Sequence, residues 1–143
     1  MSTLVVDASV AVKWFLPAED ETLIPQALDL LARHTKSELR FVVPGIFWAE
    51  MGNIFWKAVR VRRCPRQYAD ESVASLQEKN LTTVASRELM SDALAIAITF
   101  DRTVYDSLYV ALALSYNVPL VTADERLANA LAAKLPVKWL GAF

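Results

Sequence analysis

The sequence predicts an α/β domain built on a parallel sheet covered on both faces, and two observations carry that expectation. Apolar runs alternate with segments of helical period along the whole chain, the pattern of strands joined by helical crossovers. Hydrophobic residues make up 55% of the 143, a surplus that suits a largely buried sheet, a dimer interface, or both. The length fits one domain spanning 1–143, long enough to bury a real core. No internal repeat, low-complexity run or linker interrupts it, and three glycines leave little room for one.

The elements follow in order. Residues 3–7 (TLVVD) read as a strand, 8–17 (ASVAVKWFLP) as a short helix stopped by Pro17, and 25–35 (PQALDLLARHT) as a helix with Pro25 in its first turn. A second strand is expected over 39–44 (LRFVVP). From Ile46 through Val59 apolar residues recur every three or four positions, which predicts a long helix. Residues 65–79 form a more polar helix, 81–86 (LTTVAS) a third strand, and 87–100 another helix. The helix over 103–117 is almost wholly apolar and therefore buried. A fully buried strand over 118–123 (VPLVTA), a helix over 124–135 and a short closing strand over 137–143 complete the chain.

Several function classes are excluded. The longest uncharged run, 107–123, has 17 residues, but the turn in SYNVP cuts it, so a membrane span is rejected. No basic segment precedes an apolar one at the start, so no secretory signal is expected. Cys64 is alone, which fits a reducing, cytoplasmic compartment, and with His34 it cannot build a zinc site from sulfur and nitrogen. His34 is expected to be exposed in a helix tail, which leaves Ser-His-Asp and Cys-His arrangements without a base. Neither a P-loop nor a G-x-G-x-x-G occurs. With a net charge of -1, any nucleic-acid contact must come from a local patch.

Four acids stand out. Asp7 ends the first strand and Asp124 follows the fourth, so both belong to the carboxyl rim of the sheet, where ligands bind in such folds. Glu50 is the sole charge between Arg40 and Lys57, and Asp106 the sole charge from Thr103 to Ala123. Each has an ordinary alternative except Glu50, which lies mid-helix with no capping role. Asp7 or Ser9 can cap a helix, Thr122 and Glu125 have capping-box spacing, and Asp106 suits a helix dipole.

Together the four are harder to explain that way. Two carboxylates ~4 Å apart repel by roughly 4 kcal/mol at an effective dielectric near 20. No Lys or Arg lies within five residues of Asp7. The economical counter-charge is a divalent cation, and oxygen-only ligands select magnesium or manganese. Such a site points to phosphodiester hydrolysis by metal-activated water, attacking in line and leaving a 5′-phosphate and a 3′-hydroxyl. Ser9 and Thr122 are expected to hydrogen-bond the ligand oxygens or the water.

Four segments, VVDAS, VPGIFWAEMGNIF, TVYDSLYVALA and PLVTADERLANAL, carry a resemblance that covers essentially the whole chain. In that order and spacing, the sequence resembles PIN-domain proteins, specifically the VapC-like toxin ribonucleases of prokaryotic toxin–antitoxin pairs. The family's acidic quartet falls on Asp7, Glu50, Asp106 and Asp124, and its small hydroxyl or amide positions on Ser9 and Thr122. The resemblance implies a Rossmann-like parallel sheet, a homodimer, magnesium or manganese dependence, and endoribonuclease activity restrained by a small antitoxin protein.

Lys57, Arg60, Arg62, Arg63 and Arg66 gather a third of the 15 basic residues into ten positions. They read either as a phosphate-contacting edge or as a solvated helix end favoured by the dipole. Of Phe47, Trp48, Phe55 and Trp56, two are expected in the core and two at a partner chain; Trp14 and Phe15 are core or a groove for an antitoxin helix. Three other functions stay open: a housekeeping RNA or DNA nuclease, a non-catalytic module whose acids accept a partner's arginine, and a metal-dependent phosphatase.

Overall fold

The computed structural model describes residues 1–16 and 22–143. Five parallel strands, β1 (Ser2–Val6), β2 (Leu39–Pro44), β3 (Thr82–Val84), β4 (Leu120–Thr122) and β5 (Val137–Trp139), form one sheet in the order β3-β2-β1-β4-β5. All five strands foreseen in the sequence are present, in a parallel sheet. The helices are α1 (Ala8–Ala11), α2 (Ile24–Thr35), α3 (Ile46–Arg60), α4 (Arg66–Gln77), α5 (Ser86–Phe100), α6 (Val104–Tyr116) and α7 (Glu125–Leu131).

The order of strands determines where a site can lie. From β1 the chain steps outward to β2 and β3, then returns past β1 to β4 and β5. Right-handed crossovers running in opposite directions cover opposite faces of the sheet. The reversal leaves a crevice at the carboxyl ends of β1 and β4. Double coverage explains the apolar runs: Val5, Val6, Phe41, Val42, Val43, Leu120 and Val121 are all fully buried, so both faces of the central strands need apolar side chains. In α6 every residue from Ser107 to Ala113 is buried, as its uncharged sequence foretold.

The third and fourth strands are shorter than expected over 81–86 and 118–123, with Ser86 already opening α5, and three further boundaries differ from the sequence reading. The helix expected over 8–17 is helical only to Ala11 and then tightens into a 3-10 turn, Val12–Trp14. Packing decides this: Trp14 stacks on Phe41 at 5.3 Å and donates its indole N–H to the Ala27 carbonyl, while Phe15 meets Phe55 edge-on at 5.7 Å. The backbone leaves helical geometry at Phe15, with φ -124°, just after the 3-10 turn that carries Trp14. Pro17, the expected stop, lies outside the described residues. The last helix ends at Leu131 and not at 135, with Pro136 close behind. The closing strand ends at Trp139 and turns into a 3-10 segment that buries Leu140.

His34 is half-buried, not an exposed tail residue. Its ring stacks on Phe41 at 4.8 Å, Nδ1 accepts the Phe41 amide, and Nε2 bonds the Lys79 carbonyl. Of the four aromatic residues on α3, Phe47 and Phe55 are core, Trp48 is half-buried and Trp56 is exposed beneath the Arg60 guanidinium. Among the described residues, no helix is long and apolar enough to cross a membrane.

Phe41 is therefore the ring on which β2, the Trp14 turn and His34 converge. Truncation of a buried Phe costs about 3–5 kcal/mol. Phe41→Ala should lose that amount in urea unfolding, and a loss no larger than that of an exposed residue would contradict the packing described.

Candidate active site

The local fold brings each acid to the carboxyl side of the sheet. Asp7 follows β1 directly and stands at the N-cap position of α1, but its carboxylate does not cap; its main-chain carbonyl takes the Val10 and Ala11 amides instead. The side chain is thereby released towards β4. Its Oδ2 accepts from Ser9 Oγ at 2.7 Å and from Thr122 Oγ1 at 2.9 Å. These hydroxyls are fixed in turn, Ser9 Oγ accepting the Ala123 amide at 3.0 Å and Thr122 Oγ1 the Asp124 amide at 3.1 Å. Two strands adjacent in the sheet but 115 positions apart in sequence are joined through one carboxylate oxygen.

Asp124 caps α7, its Oδ1 accepting the Leu127 amide at 3.1 Å. The capping-box reading of Thr122 and Glu125 is thus corrected: the cap lies two residues later, because the Thr122 hydroxyl is engaged by Asp7. Glu50 is in the second turn of α3, whose start is tied to β3. The Gly45 amide donates to the Val84 carbonyl at 2.8 Å, the Ile46 amide to Ser86 Oγ at 3.0 Å, and the Trp48 indole to Thr83 Oγ1 at 3.0 Å.

Asp106 is in the first turn of α6, where Thr103 Oγ1 accepts its amide at 3.1 Å. Because α6 ends four residues before β4 begins, its first turn lies at the opposite, carboxyl side of the sheet. Tyr109, one turn further on, donates its hydroxyl to Glu50 Oε1 at 2.5 Å.

The electrostatics are those of charges held together against their preference. Burial pushes the Asp7, Glu50 and Asp106 carboxyls above their ordinary values, and mutual repulsion pushes in the same direction. Asp7 feels Asp106, Glu50 feels Asp7 and Asp106, and Asp106 feels Asp124. Hydrogen bonds from Ser9 and Thr122 oppose the shift at Asp7, the Tyr109 hydroxyl opposes it at Glu50, and Arg102 opposes it at Asp106. Burial, followed by the Asp7 and Glu50 charges, drives the Tyr109 phenol far above its ordinary value, so towards Glu50 it acts as a donor.

Asp7, Glu50 and Asp106 are therefore brought within mutual electrostatic reach, and Asp124 joins through Asp106. The four carboxylates, with the Ser9 and Thr122 hydroxyls on Asp7, offer only oxygen, a chemistry that suits a hard divalent cation and not a softer one. Among the described residues, no three acid, His or Cys side chains already form a coordinating cluster. Each of Asp7, Glu50 and Asp124 turns one oxygen to a hydrogen-bond donor of the chain.

The basic segment lies apart. Arg60 is ten residues beyond Glu50 on α3, about 15 Å along the axis. Arg60 covers Trp56, Arg63 donates to the Leu16 carbonyl, Arg66 pairs with Asp70 at 3.5 Å, and Arg62 is at a turn with positive φ.

Residues 4–132 match the family model described as PIN domain. This chain belongs to the PIN-domain family. Among individual relatives, it is 33% identical over 132 residues to Ribonuclease VapC3 of Pyrobaculum aerophilum, covering 88% of this chain and 92% of that one. In fold it is similar to a second Pyrobaculum aerophilum protein of known crystal structure (TM-score 0.71, 20% identity, 99% of this chain and 85% of that one). It is also similar to a chain of a toxin–antitoxin complex from Klebsiella pneumoniae (TM-score 0.63, 13% identity, 94% and 95% covered).

The raised carboxyl values have a definite sign for stability. A carboxyl that binds its proton more tightly in the folded protein makes the folded state hold more protons than the unfolded chain. Stability then falls as pH rises from the ordinary carboxylate range through the raised values. Asp106→Asn removes one such penalty. In chelator the variant should melt above the wild type near pH 7, with the difference closing below about pH 4. Calorimetric melts across that range check it, and a wild type that melts higher near neutrality would contradict it.

Proposed function

We propose that this protein is a divalent-metal-dependent endoribonuclease, the toxin of a toxin–antitoxin pair. The observation that carries the proposal is the mutually repelling set of Asp7, Glu50 and Asp106, with Asp124 beside it, at the switch point of the sheet. Membership of the PIN family, a relative named as a ribonuclease and a fold shared with a chain of a toxin–antitoxin complex support it.

When bound, magnesium or manganese supplies charge neutralisation at the phosphoryl oxygens and lowers the pKa of water. The chain's own residues do the rest. The four carboxylates would hold the cation at the rim, and the Ser9 and Thr122 hydroxyls orient Asp7. Cleavage in line leaves a 5′-phosphate and a 3′-hydroxyl. Arg60, Arg62, Arg63 and Arg66 provide positive charge where RNA phosphates a few nucleotides from the scissile bond would pass. The Met90, Leu94 and Ile98 stripe, exposed at four-residue spacing on α5, supports association with a second copy. A small antitoxin protein is the proposed inhibitor, and the cytoplasm the proposed location.

Asp7→Asn keeps the size of the side chain and removes its charge. It should lower RNA cleavage by roughly 100-fold or more, and chelator should do the same to the wild type, read on labelled RNA. Undiminished cleavage by Asp7→Asn would overturn the proposal. Monoester hydrolysis without RNA cleavage would favour a phosphatase, and partner binding without any hydrolysis a non-catalytic module.

A further inference from the structure

Tyr109 is set apart from the other tyrosines. It is 2% exposed, whereas Tyr68, Tyr105 and Tyr116 are 40%, 59% and 39% exposed. Its hydroxyl reaches from α6 to α3 and donates to Glu50 Oε1 at 2.5 Å, across 59 positions of sequence. It lies three residues after Asp106, so one face of α6 presents one acid of the site and the group that holds another.

Glu50 needs holding. It is half-buried, has three rotatable side-chain bonds, and is repelled by Asp7 and Asp106. Left alone, the carboxylate gains solvation, side-chain freedom and relief from repulsion by swinging outwards. A Lys or Arg partner would hold it inwards but would cancel the charge that a cation requires. A neutral phenol holds it without cancelling that charge.

We propose that Tyr109 is a positioning residue whose hydroxyl keeps the Glu50 carboxylate turned into the acidic site, ready for a divalent cation. The proposal rests on the reading above that these acids hold such a cation. In this role Tyr109 acts through Glu50, to which its hydroxyl donates. Its ring fills core space, and its hydroxyl has the separate role of orientation.

Tyr109→Phe separates the two, because it keeps the ring and removes the hydroxyl. The test is titration of the whole protein with manganese, followed by the rise in melting temperature and, in parallel, by RNA cleavage. Loss of such an outer partner weakens metal binding by about 10–100-fold. Tyr109→Phe should raise the half-saturating manganese concentration by about 10-fold or more in both readouts. In a Glu50→Ala background it should add no further change.

A lower melting temperature in chelator with an unmoved manganese midpoint would make Tyr109 merely structural and overturn the proposal. So would an equal effect in the Glu50→Ala background. A wild type whose melting temperature ignores manganese would instead remove the metal reading itself. Should Tyr109→Phe not fold, proton NMR of the wild type supplies the check. The Tyr109 hydroxyl proton should appear downfield, exchange slowly and vanish in Glu50→Ala; its persistence there would overturn the proposal.

Discussion

Repulsion among carboxylates at one rim of a buried sheet is the constraint around which this molecule is organised. Folding gathers Asp7, Glu50 and Asp106 at cost, since burial and mutual charge both disfavour their ionised forms. The surrounding fold must offset that cost, and it does so with a doubly covered core in which Val5, Val6, Phe41, Val42, Val43, Leu120 and Val121 of the central strands are fully buried. The parallel sheet therefore both delivers the acids to one edge and stabilises the protein against their presence.

The means of holding each acid differ. Asp7 is clamped by two hydroxyls, from Ser9 and from Thr122 on the neighbouring strand. Asp124 is held by the first turn of α7 and Glu50 by the Tyr109 phenol. All three holders are uncharged donors. Arg102 beside Asp106 is the cation that lowers one of the raised values. A site that kept full ion pairs would be more stable and would have less charge left for a metal.

Much of this was legible in the sequence because it follows from periodicity and isolation. Runs such as LVV and FVV reveal doubly buried strands, and Glu50 and Asp106 are visible as solitary charges in apolar surroundings. What was not legible depends on contacts far apart in sequence. The helix after Asp7 gives way at Val12 to a 3-10 turn, after which Trp14 packs on Phe41 and Phe15 on Phe55. Thr122 has the spacing of a cap, yet its hydroxyl goes to Asp7. Tyr109 reads as one more core ring in an apolar helix, and its partner is 59 residues away. Its three-residue offset from Asp106 was the available signal. His34 looks like a helix-tail residue until β2 and the turn after α4, at Lys79, close over it.

The proposed function requires these four acids to gather around a bound divalent cation. Anomalous diffraction from crystals soaked in manganese tests it most directly. The account predicts manganese bound by Asp7 together with carboxylates from Glu50, Asp106 and Asp124. Manganese confined to other surfaces, with the four carboxylates facing solvent separately, would contradict it.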